Sequence, residues 1–202
     1  MFLRLGLETQ PHHTVADTDR LAMMEATTVA DYRAALARIY GFESVVETAL
    51  ASLLEPAIAR ARSKTDWLRR DLETLGISTS ELDVLPRCTV RLGSSTQALG
   101  WLFVVERHTL LAGLIRRHLE QQLGTGLPTT YLAAYGETPG ARFRALGEAL
   151  DEHAAHEPVR PTRIVAAALE AFRCQHQWYA SAPRESALQV RGTAPDRSSL
   201  SS

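Results

Sequence analysis

Along most of this chain apolar residues recur at helical spacing, and nowhere do they alternate with polar ones long enough to demand a sheet. The first clear start is "TVAD", where Thr28 followed three residues later by Asp31 forms a capping box. Beyond it, "YRAALARIYGFESVVETALASLL" keeps its apolar face until Pro56. Ser63 or Thr65 is placed to cap "DWLRRDLETL", which Gly76 ends. The longest periodic run is "SSTQALGWLFVVERHTLLAGLIRRHLEQQLG". It carries Arg116, Arg117 and His118 toward its C-terminal end, where positive charge complements the helix dipole, and Gly124 closes it. A "GTGLPTT" loop leads to "YLAAYG", and two more helices follow in "GARFRALGEALDEHAA" and "PTRIVAAALEAFRCQHQWYASA". The pattern predicts an all-α fold with no internal repeat.

At 202 residues and 45% hydrophobic, the chain can build one domain with a substantial core. We place that domain at residues 1–182. From Pro183 the sequence turns to Ser, Arg and Pro with little apolar content, so residues 183–202 read as a disordered tail. Net charge is −1, which leaves no broad basic field for nucleic acid. Cys88 and Cys174 lie far apart in sequence and outside zinc spacing, a usage that suits a reducing cytoplasm. The N-terminal "MFLRLGLETQ" lacks the apolar run of a signal peptide. The most apolar stretch, "LGWLFVVERHTLLAGLI", is interrupted by Glu106, Arg107 and His108 and reads as a buried helix rather than a membrane span. We therefore expect a cytoplasmic protein without nucleic-acid or membrane partners.

Chemistry has few candidates. There is no GxSxG nucleophile and no glycine-rich phosphate loop, and Asp151 with Glu152 resembles an ordinary solvated face. The histidines carry the interest. Near the start, "LETQPHHTVAD" puts Asp17 one helical turn beyond His13, where it can hold the ring, while His12 points about 100° away. The residues alone leave His13 open as a metal ligand or as a polar residue in an ordinary His–Asp pair. His108, ringed by Val104, Val105, Leu111, Ala112 and Ile115, faces the interior. It is either a buried hydrogen-bonding residue or a group looking into a pocket. His118, His153, His156 and His176 fall on polar faces or near helix ends and read as surface residues.

Taken together, "LETQPHHTVAD", "DYRAALARIYGFESVVE", "GWLFVVERHTLLAGLIRRHL", "YLAAYGETPGARFRALGEALD" and "RIVAAALEAFRCQHQWYA" resemble the haem oxygenase family, especially the bacterial type often paired with bacteriophytochromes. The likeness runs from Leu3 to Ala180. It implies a single all-α domain holding haem between the first helix and a distal helix. It also implies that His13 is the proximal iron ligand, that Asp17 lies in its second shell, and that Arg144 pairs with a propionate. The departures are local. In relatives the distal helix reads like E-G-S-T-L-G-G or has a comparable pair of glycines flanking a polar residue; here "ERHTLLA" puts Arg107, Leu111 and Ala112 at glycine positions and His108 where a serine or acid stands. A leucine intruding on space meant for O2 costs about 1–3 kcal/mol unless the helix moves. Two further propionate-holding positions fall on Gly6 and Glu148, and a tyrosine before the glycines is Phe103.

Three functions follow from this resemblance. One is a haem oxygenase, with haem as substrate and a reductase or ferredoxin as electron donor, opening the ring to biliverdin, iron and CO. Another is a non-catalytic haem or tetrapyrrole protein with His108 as a sixth ligand. The last is a haem-free member without cofactor, its distal pocket filled by Arg107 and Leu111.

Overall fold

The structure is a computed structural model, and it describes residues 1–136, 138–155 and 158–181. The tail expected from 183, the boundary set at 182 and the surface placement of His156 lie outside the described residues. Within them the chain forms α-helices and no strand: α1 (Phe2–Glu8), α2 (Gln10–Leu21), α3 (Val29–Ala51), α4 (Pro56–Arg60), α5 (Thr65–Thr74), α6 (Thr79–Val84), α7 (Ser95–Arg107), α8 (Thr109–Leu123), α9 (Pro139–Ala155) and α10 (Arg160–Ala180). The predicted all-α fold is the observed one.

Local signals account for several boundaries. Thr28 accepts from the Asp31 N–H at 3.1 Å while the Asp31 carboxylate takes the Thr28 N–H at 2.9 Å, the reciprocal box the sequence predicts for α3. Gly76, at φ 87°, turns the chain off the end of α5, with the Ile77 N–H returning to Leu72 O at 3.0 Å. Its start differs from expectation. Neither Ser63 nor Thr65 caps α5; instead Glu47 of α3 reaches across to take the backbone N–H groups of Lys64 (2.7 Å) and Thr65 (3.0 Å). A carboxylate from another helix thus does what a local hydroxyl usually does.

The long apolar run also differs. It breaks at His108 into α7 and α8. The Thr109 hydroxyl bonds back to Glu106 O at 2.7 Å, and the Leu111 N–H reaches only to His108 O, three residues back. Both features tighten the turn locally. By length and composition residues 95–123 could cross a membrane, yet 67% of the apolar window is buried inside the fold, the situation of a core element.

Two apolar clusters form the core. The first joins Leu5 of α1, the C-terminal half of α3, α7, α9 and α10. Gly100 lets α7 close on α10 here, since a Cβ would lie 2.4 Å from Ile164 O. The second joins the N-terminal half of α3 to α5, α8 and the 127–132 segment. Between them lies a seam of buried charge. Glu106, 1% exposed, accepts from Arg62 (2.6 Å), Lys64 (3.2 Å) and the Tyr135 hydroxyl (2.7 Å). Beside it Arg20 donates to the Tyr131 hydroxyl, which donates to Glu43.

Candidate functional site

α1 and α2 meet at Thr9, with Pro11 in the first turn of α2, where its missing N–H costs nothing. This joint sets the cleft that carries His13. The cleft holds about 300 Å³. Its walls are the rings of Phe2, Phe103 and Phe143, and Leu3 and Leu7, 75% and 64% exposed, stand at its edge. Phe2 sits over Gly147 of α9, 2.7 Å from where a Cβ would be, so only glycine admits the ring at that point. Two polar side chains line the cleft, His13 and Arg107.

The His13 ring is fixed from two sides. It packs against Phe172 of α10, centroid to centroid 5.6 Å. Its Nε2 lies 2.8 Å from the Thr9 hydroxyl, which itself donates to Leu5 O at 2.6 Å. A hydroxyl has one proton, so Nε2 must be the donor and the lone pair rests on Nδ1. Burial lowers the His13 pKa and Arg107 lowers it further, with Asp17 opposing in part. The imidazole is therefore neutral near pH 7, the form that can ligate a metal.

Asp17 shares the His13 face, but its carboxylate goes elsewhere. Both oxygens are taken by Arg107, Nη1 on Oδ1 and Nη2 on Oδ2 at 2.8 Å. That pair ties α2 to the end of α7. Gly6 adds open space, since a Cβ there would meet nothing within 4 Å.

A match over nearly the whole described chain then decides the classification: the family model for Heme oxygenase covers residues 2–181. The chain belongs to the haem oxygenase family. Comparison with curated proteins and with solved structures returned no match.

As a haem oxygenase family member, this chain distributes its expected site residues unevenly. His13 and Arg107 line the cleft, and Asp17 stands outside its lining, paired with Arg107. Leu111 does not line the cleft and packs against the second core cluster. Ala112 lines a separate cavity of about 20 Å³ beside Arg20, Lys64 and Tyr131, large enough for one water. His108 is 2% exposed and lies against Gln175 of α10, outside the cleft lining, with both ring nitrogens unpartnered among the described residues. Arg144 is exposed and also outside that lining. His118, read as a surface residue, is half-buried with Nε2 3.0 Å from Met24 O. The sequence reading missed the Phe2–Phe103–Phe143 wall and the charged seam. The signal for the seam was Glu43 and Glu106 standing inside otherwise apolar helical stretches.

Proposed function

We propose that this protein is a haem oxygenase whose substrate lies in the cleft between α1–α2 and α7, with His13 toward the iron. The observation that carries the reading is a neutral imidazole, positioned by Thr9 and Phe172, in the wall of an otherwise aromatic and aliphatic cleft. A porphyrin face matches such a wall, because flat apolar surface is what the three phenylalanine rings and the two leucines can cover. Bound haem supplies the oxygen chemistry, with O2 and electrons from a reductase or ferredoxin, and the products are biliverdin, iron and CO. The chain's residues ligate, orient and exclude water. With its Nε2–H given to Thr9, His13 would ligate iron through the lone pair on Nδ1.

Other observations support this reading over its rivals. His108 is packed against Gln175 and away from the cleft, which disfavours it as a sixth ligand. Leu111 packs in the second core, so the cleft is not filled from the distal side by the pair Arg107 and Leu111.

The test is a hemin titration followed by absorbance, with His13→Ala in parallel. We expect a Soret band on the native chain, its loss or marked weakening in His13→Ala with return on added imidazole, and biliverdin after reductant and O2. A native chain that gives no Soret band overturns the reading. A stable haem spectrum without biliverdin leaves a binding protein and removes the oxygenase.

A further inference from the structure

Arg107 brings a permanent charge into the apolar cleft, and no carboxylate is part of the cleft lining. Its guanidinium is mostly buried, 15% exposed, and its partner Asp17 is 32% exposed. Asp17 engages one N–H on each terminal nitrogen. A guanidinium carries further donors at Nε and on both Nη atoms, so the fork is held in place on one side with donor capacity remaining. We propose that Arg107 is the carboxylate anchor of this cleft, which therefore selects a flat apolar ligand bearing a carboxylate; for haem, a propionate. This assignment rests on the haem reading above.

The surroundings narrow the choice to Arg107. A carboxylate entering an apolar cleft needs a charged donor within it, because burial without a partner is costly. Gly6 lines the cleft but offers no side chain. Arg144, the basic residue expected for this task from sequence, is solvent-exposed and outside the lining. His13 has its Nε2–H committed to Thr9. Arg107 also does not plug the site: the 300 Å³ of cleft exists with its side chain in the wall. Asp17, one turn beyond His13 on α2, fixes the guanidinium relative to that imidazole. The imidazole and the guanidinium are thereby held at one spacing by two adjacent turns of α2.

Hemin and hemin dimethyl ester, titrated into the native full-length chain, Arg107→Met and Arg107→Lys, test this, with far-UV circular dichroism as the folding control. The native chain should bind the diacid roughly tenfold or more tighter than the ester, the scale of one charge-assisted hydrogen-bonded contact. Arg107→Met should erase that preference, so that diacid and ester bind alike, and Arg107→Lys should keep part of it. If the preference survives in Arg107→Met, or if that variant binds hemin more tightly than the native chain, the assignment is overturned while His13-dependent haem binding stands. If the native chain binds neither porphyrin, the haem reading and this assignment fall together.

Discussion

The Thr9 hydroxyl sits between the Leu5 carbonyl, 2.6 Å away, and His13 Nε2, 2.8 Å away, and joins the end of α1 to the imidazole on α2. Since its own proton goes to Leu5, it fixes the His13 tautomer as well as the ring's orientation. Thr9 is fully buried, so its hydroxyl is shielded from water.

Replacing Thr9 with valine keeps the shape and removes the acceptor. Long-range proton–nitrogen spectra of the native chain should show His13 as the Nε2–H form. Thr9→Val should shift it toward a mixture of tautomers and cost about 1 kcal/mol in urea unfolding, one modest hydrogen bond. A native His13 found mainly as the Nδ1–H form would contradict the geometry.

The Asp17–Arg107 pair should also register as stability. It is bidentate and partly shielded, 32% and 15% exposed, so it lies above an ordinary surface pair and below a buried one. A double-mutant cycle with Asp17→Asn and Arg107→Met should give a coupling of about 1 kcal/mol that shrinks with added salt. Strictly additive single variants would show that the two helices do not depend on the pair.

His108 predicts an acid limb. Burial holds its pKa well below 6.5, and Arg20 and Lys64 nearby lower it further. The unfolded chain therefore binds a proton near pH 6 that the folded chain refuses. Stability from this residue is complete above about pH 6.5 and falls as the pH drops. Melting temperature followed between about pH 5 and 8 should decline toward acid in the native chain and decline less steeply in His108→Phe. Parallel curves would assign the acid limb to other groups.

Much of the backbone was legible in the sequence because its determinants are local. The Thr28–Asp31 box, the Gly76 stop and the helical spacing of α3, α7 and α10 each act within a few residues. What failed depends on partners far along the chain. Glu47 caps α5 from α3, which no reading of Ser63 or Thr65 could reveal. Leu111 packs against the second core cluster rather than into the cleft, which depends on the neighbours α8 meets in the fold. Asp17 is correctly one turn from His13, yet a guanidinium 90 residues away outcompetes the imidazole for it. Gathering Glu106 with Arg62, Lys64 and Tyr135 likewise needs the tertiary fold, so the sequence showed only that an acid stood in an apolar run.

That acid gives the largest predicted effect. Glu106 is the common acceptor for Arg62, Lys64 and Tyr135, and Lys64 is 2% exposed. Burial alone would pull the Lys64 pKa down, but Glu106 first and then Glu43 hold it above its ordinary value, so the amine stays charged inside the protein. Glu106→Ala strands that charge and removes the acceptor of a buried phenol. The expected cost is about 3–5 kcal/mol in urea unfolding, as for one partner lost from a buried ion pair. Glu106→Leu combined with Lys64→Met removes both charges and should recover most of it, since Arg62 is 13% exposed and closer to solvent. Because Glu106 immediately precedes Arg107, hemin affinity should fall in the single variant and return with stability in the double. If the double variant is no more stable than the single, shape at this helix junction, rather than charge, is what Glu106 supplies.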